Sequence, residues 1–166
     1  FQLWLNLPAA EKMKPAAYVD ISPELIPQIS FAQGTAKVIA GTLQTNDIQQ
    51  SGPIQGLTTE PQYYDLHLTA GQTITLQLAL THSAFVYPYA GDIKVVDDKE
   101  QHKVPQHHAG VLTNGTAVAK ATYNGLTATV NITSTTPGLP SYLVVMAMLT
   151  TNGSWTLSAH NEACSL

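Results

Sequence analysis

The densest group of side chains able to do chemistry is Glu100, His102, His107 and His108. One carboxylate and three imidazoles form a donor set that suits a divalent transition metal. A turn at Val104-Pro105 would bring the arm carrying Glu100 and His102 against the arm carrying His107 and His108. Against this, neighbouring residues of a strand point to opposite faces, so His107 and His108 cannot both reach one ion from a strand. A solvated hairpin is the plainer account of the four. His82 stands apart and reads as a polar residue at the mouth of a strand. His67 alternates with Leu66 and Leu68, which turns it off the core face. Phe85, Tyr87 and Tyr89 alternate with Val86 and Pro88, so three rings share one face. Such a face lines a pocket for a flat ligand or packs as core or interface, and packing is the commoner arrangement. The sequence shows no Ser-His-Asp or Cys-His arrangement and no glycine-rich phosphate loop. Cys164, close to a terminus, is a poor nucleophile.

These residues must be carried by short elements. Only 11% of the 166 residues are charged, so the polar surface is built from Gln, Asn, Thr and Ser, which favours strands and loops over long solvated helices. The length amounts to about one domain, enough to bury a core without disulfides. Residues 1–7 read as a strand, with Trp4 on the face opposite Phe1, Leu3, Leu5 and Leu7. Residues 8–30 hold Pro8, Pro15, Pro23 and Pro27 and read as a linker, with a helical turn after Ser22-Pro23-Glu24. A short strand at 37–41 precedes a long loop at 42–61. Strand-like runs then recur at 63–68, 73–80, 84–89, 93–96, 109–112, 117–121, 128–133 and 142–148. Turn signals such as Gly91-Asp92, Asn114-Gly115, Asn124-Gly125 and Pro137-Gly138 separate them. Many short strands at near-regular spacing, and no helical periodicity, predict an all-β sandwich or barrel.

Composition narrows the partners. All seven basic residues are lysines and the net charge is −4. That disfavours direct nucleic-acid binding, which normally uses a basic stripe rich in Arg. No apolar run is long enough to span a bilayer, and residues 1–5 lack the basic flank of a signal peptide. A single cysteine allows no internal disulfide, which fits a reducing, cytoplasmic location. Three Asn-x-Ser/Thr matches, at Asn114, Asn131 and Asn152, are expected by chance in so Asn- and Thr-rich a chain. The chain opens with Phe1, which suggests that it begins inside a longer protein.

The opening FQLWLNLPAAEKMKPAAYVDI resembles the pirin-family stretch that joins two cupin barrels, where QLWVNLP is followed by KM-x-x-P-x-Y. QLWLNLP, Lys12-Met13, Pro15 and Tyr18 meet that pattern with slightly shifted spacing. The resemblance continues through VIAG at 38–41, Gly52-Pro53, Tyr64-Asp65-Leu66 with Gly71, AFVY at 84–87 with Gly91, and PQHHAGVL at 105–112. It implies an all-β, cupin-like (double-stranded β-helix, jelly-roll) barrel over 31–148. Residues 1–30 would be a strand and linker left over from a preceding barrel. Residues 149–166 match neither of the family's closing motifs and form a divergent tail.

The same resemblance places the family's iron, held by three histidines and a glutamate, in the first barrel, upstream of the point matching Phe1. In the present barrel the approximate ligand places fall on Gln77, Ala79 and Ala84, none a good iron ligand, with His82 out of step. No cofactor is therefore expected in this chain. The implied function is a non-catalytic module, serving as scaffold or interaction surface for the preceding barrel or another protein. Two alternatives follow from the family: one wall of an iron-dependent quercetin 2,3-dioxygenase-like enzyme, or an iron-linked transcriptional co-regulator. Residues 1–7, parted from their sheet, expose unpaired backbone and favour self-association. Phe85, Tyr87, Tyr89, His82 and Trp4 are the candidate pocket or interface residues.

Overall fold

The computed structural model describes Leu5 and residues 7–79, 81–96, 101–112 and 127–149. Trp4, Glu100, the turns at Asn114-Gly115 and Asn124-Gly125, the run 117–121 and the tail from 150 onward lie outside the described residues. The only helical elements described are single 3-10 turns at Ala9–Glu11 and Pro23–Leu25, the second where the Ser-Pro-Glu signal predicts a turn. Twelve strands follow in chain order: β1 (Gln28–Phe31), β2 (Gly34–Ala40), β3 (Thr42–Gln44), β4 (Gln49–Ser51), β5 (Gln62–Leu68), β6 (Thr73–Ala79), β7 (His82–Ala90), β8 (Ile93–Val96), β9 (Gln101–Val104), β10 (Gly110–Leu112), β11 (Thr127–Ser134) and β12 (Ser141–Leu149).

Two antiparallel sheets enclose one core. The first has the order β1-β2-β5-β12-β7-β10, the second β6-β11-β8-β9, and β3-β4 form a separate hairpin. Period-two alternation drives burial along most of these strands. On β5, Tyr64, Leu66 and Leu68 are buried between the half-exposed Tyr63, Asp65 and His67. On β6 and β7 the inward positions are Ile74, Leu76 and Leu78, then Ala84 and Val86. They pack with Val38, Ile93, Val95, Val130, Ile132, Leu143 and Val145 into a single apolar cluster.

Three elements depart from the sequence reading. Gln28–Phe31, read as linker, pairs with β2, because Pro27 accepts the Val38 amide at 3.1 Å and so ends the proline-rich stretch in ladder register. The stretch 42–61, read as loop, contains the β3-β4 hairpin, closed by the Thr45 amide on the Ile48 carbonyl at 2.9 Å. Its glutamines and threonines carry no apolar alternation to signal a strand. The turn at Val104-Pro105 does not fold one hairpin: β9 pairs with β8 in the second sheet and β10 with β7 in the first, so the chain crosses between sheets there. Gly34 allows the close approach of β2 to β5, since a Cβ on it would run into the His67 carbonyl oxygen.

Candidate functional site

The interior offers little chemistry. Gln77 and Ala79 point outward on β6, so they do not stand at inward ligand places; only Ala84 of that trio faces the core. His82 does face inward, with a side chain only 2% exposed. Its Nε2 donates to the Glu60 carbonyl at 3.1 Å, and Nδ1 lies 3.4 Å from the Thr81 hydroxyl. It is thereby a satisfied buried imidazole tying the start of β7 to the loop before β5. His102 lies opposite Val95 across the β8-β9 ladder. Among the described residues no group of three or more His, Cys, Asp or Glu is placed to hold a metal. Apart from His82, the inward positions of β6 and β7 are hydrocarbon, which supplies neither the lone pairs nor the charge a divalent ion needs, so the described interior does not fit an iron site.

His107 and His108 sit on the sheet-crossing corner. His107 adopts a positive φ of 63°, its amide donates to the Pro88 carbonyl at 2.8 Å, and Nδ1 of His108 meets the Gln106 carbonyl at 3.0 Å. The corner is anchored by Asp92, which accepts from the Gln106 amide at 3.0 Å and from Lys103 Nζ at 2.9 Å. The bond from the Gln106 backbone, then that from Lys103, hold the Asp92 carboxyl below its ordinary range. The histidines therefore shape a turn.

The outward face of the first sheet is richer. Phe85, Tyr87 and Tyr89 share a face as their alternation predicts, but it is the outside of the sheet, and His82 lies on the opposite side. Tyr89 reaches across β12 to β5. Its hydroxyl donates to Asp65 Oδ1 at 2.8 Å and lies 2.8 Å from His67 Nε2. A phenol has one proton, and it goes to the carboxylate, so His67 Nε2 must carry hydrogen and donate. The His67 ring stacks on Tyr142, with centroids 4.2 Å apart at 29°. Burial first, then the Asp65 hydrogen bond, push the Tyr89 phenol well above its usual range, so it acts as a donor and not as a base. Beside this belt, Val144, Met146 and Met148 also face outward from β12 yet are buried, with Phe85 and Tyr63 flanking Met146 in register. The outer face of the second sheet is unlike it: threonine and asparagine pairs, Thr73 with Thr133 and Thr75 with Asn131, both at 2.7 Å. Asp65, His67 and Tyr142 were not singled out from sequence as a group. With Tyr89 they lie on three separate strands, β5, β7 and β12, and only the pairing order brings them together.

Two sheets about an apolar core, nearly all β, define a cupin-type jelly roll. Two solved structures share the fold: a Geobacillus kaustophilus protein, with TM-score 0.70 and 18% identity over 92% of this chain and 54% of its own, and a quercetin 2,3-dioxygenase from Acinetobacter baumannii, with TM-score 0.66 and 21% identity over 88% and 44%. No protein-family profile matches. Individual relatives do. A Pseudomonas aeruginosa protein provisionally named quercetin 2,3-dioxygenase is 43% identical over 60% of this chain and 35% of its own length. Human pirin is 31% identical over 70% of this chain and 39% of its own. These relatives are pirins and pirin-like proteins matched over about 60–70% of this chain, which supports the pirin family, and the chain spans little more than a third of their length.

Proposed function

We propose that this chain is a scaffold and interaction module of a pirin-like protein, contributing a surface and not a metal centre. The observation that carries the reading is the barrel interior, where Ile74, Leu76, Leu78, Ala84 and Val86 fill the inward positions of β6 and β7. The surface is the outward face of the first sheet, where the half-buried Phe85, Tyr87 and Tyr89 contrast with the threonine-lined face of the second. Its partner on this reading is a preceding cupin barrel or another protein. The lone cysteine and the lack of any described helix long and apolar enough to cross a membrane accord with a cytoplasmic setting.

A second reading rests on the relatives named for quercetin 2,3-dioxygenase: the module is one wall of such an enzyme, with the iron ligands in sequence outside this chain. Both readings expect the same of the chain alone. Incubated with ferrous iron and quercetin, it consumes flavonol no faster than free iron does, and after dialysis against a weak chelator it retains no stoichiometric metal. Iron-dependent turnover above the free-ion rate, or one metal per chain lost on His102→Ala or His107→Ala, overturns the scaffold reading.

A further inference from the structure

The β1-β2 turn, the β3-β4 turn and the first residues of β6 enclose a cleft of about 310 Å³. In size it falls at the lower end of small-molecule sites, which begin near roughly 300 Å³. Its apolar part is Phe31, Ile48 and Ile74; its polar part includes Gln33, Asn46 and Asp47. Other polar groups there are already engaged: Thr45 Oγ1 accepts from the Asp47 and Ile48 amides, and Thr75 donates to Asn131. The side chains of Gln33, Asn46 and Asp47 make no hydrogen bond or ion pair with any other described residue. Two amides and a carboxylate thus line the cleft beside an aromatic ring, bonded to no described protein group and open to exchange water for a ligand, and no described Lys or His lines it.

That chemistry selects its ligand. A carboxylate without a neighbouring cation repels phosphates and acids. Amide and carboxylate oxygens call for hydroxyl donors, the amide NH2 groups call for oxygen acceptors, and Phe31 offers a surface for the C–H face of a ring. We propose that this cleft binds a small neutral hydroxyl-rich ring, a single sugar or cyclic polyol.

The test is amide chemical-shift titration of the 166-residue chain with D-glucose, myo-inositol and glucose 6-phosphate. Saturable shifts confined to residues 31–33, 45–48 and 73–75 are expected with at least one neutral ligand, and weaker ones with the phosphate. Asp47 and Asn46 are exposed, so Asp47→Asn and Asn46→Ala leave the fold intact. Asp47→Asn weakens neutral-ligand binding about tenfold, the effect of one charge-assisted hydrogen bond, and narrows the gap to the phosphate. Asp92→Asn, on the corner between sheets, changes neither. The proposal fails if neither neutral ligand gives saturable shifts there, if Asp47→Asn and Asn46→Ala both leave affinity unchanged, or if the phosphate binds as tightly as glucose.

Discussion

Tyr89 shows how one hydroxyl can join three strands. It is held between Asp65 and His67 of β5 while its own backbone belongs to β7, with β12 between. Tyr89→Phe removes both bonds and leaves Asp65 without its phenolic donor. The expected loss is about 1–2 kcal/mol, read from urea denaturation, with the midpoint lowered and the slope unchanged. The phenols also set an alkaline limit. Burial raises Tyr64 and Tyr89, and Tyr63 less so, above the unfolded value of about 10. A raised phenol favours its neutral form in the folded chain, so its contribution is fully present below pH about 10 and is lost as pH climbs toward the folded values. Tyrosinate absorbance at high pH should therefore rise in two stages: exposed phenols first, then a cooperative step coincident with loss of the β-sheet circular dichroism signal. A smooth single titration with the sheet intact would contradict that order. In the sequence, the shared face of Phe85, Tyr87 and Tyr89 is legible from alternation alone. The Asp65–Tyr89 bond is not, because the two are 24 positions apart and alternation says nothing about which strand lies between.

Strands with apolar alternation announce themselves, and strands without it do not. The runs at 63–68, 73–80 and 93–96 match β5, β6 and β8 closely, since each buries every second side chain, and the run at 142–148 matches β12, which is buried on both faces from Leu143 to Met148. β4, built from QQS, has nothing to alternate, and β9 buries only Val104 in the core. The His107–His108 pair illustrates the other loss. Its spacing suggests a hairpin cluster, whereas the chain uses those residues to pass from one sheet to the other, an outcome decided by Val111 and Leu112 pairing with Phe85 and Ala84. The tightest element junction is β2 on β5. Gly34→Ala drives a methyl group into the His67 carbonyl and is expected to cost about 2 kcal/mol or more by denaturant titration. Gly56→Ala is the companion measurement. It also has a positive φ, 70° against 152° at Gly34, but open space around the new methyl, so its cost is about 1 kcal/mol. Equal costs would show that backbone strain alone, and not the β2-β5 approach, sets the requirement for glycine.

For the whole molecule the contrast between the two outer faces is the feature with consequences for binding. The half-buried aromatic side chains suit a buried contact, whereas the Thr73–Thr133 and Thr75–Asn131 pairs are already satisfied and suit water. A single lysine placed on each face separates them. Phe85→Lys, on the first sheet, is expected to weaken association with a partner barrel or with a second copy at least tenfold in sedimentation equilibrium. Gln77→Lys, on the second sheet, should leave it within twofold. An equal effect from both, with the circular dichroism spectrum retained, would remove the assignment of the contact to the first sheet. An all-β sandwich or barrel is legible from short strands and turn signals, and the cupin jelly roll and the family from the resemblance carried by motifs scattered over the first two thirds of the chain. The asymmetry between faces is not, because it depends on which strands become neighbours.

The positions of β11 and β12 bear on how the molecule comes into being on the ribosome. β12, the last described strand, lies in the middle of its sheet between β5 and β7, and β11 likewise separates β6 from β8. Until residue 149 has left the exit tunnel, each sheet exists only as two halves with open edges, and the apolar inner faces of β5 and β7 have no strand to unite them. The barrel cannot form progressively from its first residues. It must wait and then close in one step by inserting two strands, a topology of high contact order and slow folding. Nascent chains arrested before Ser141 should accordingly be protease-sensitive and should recruit holdase chaperones, while chains released only after Leu149 should not.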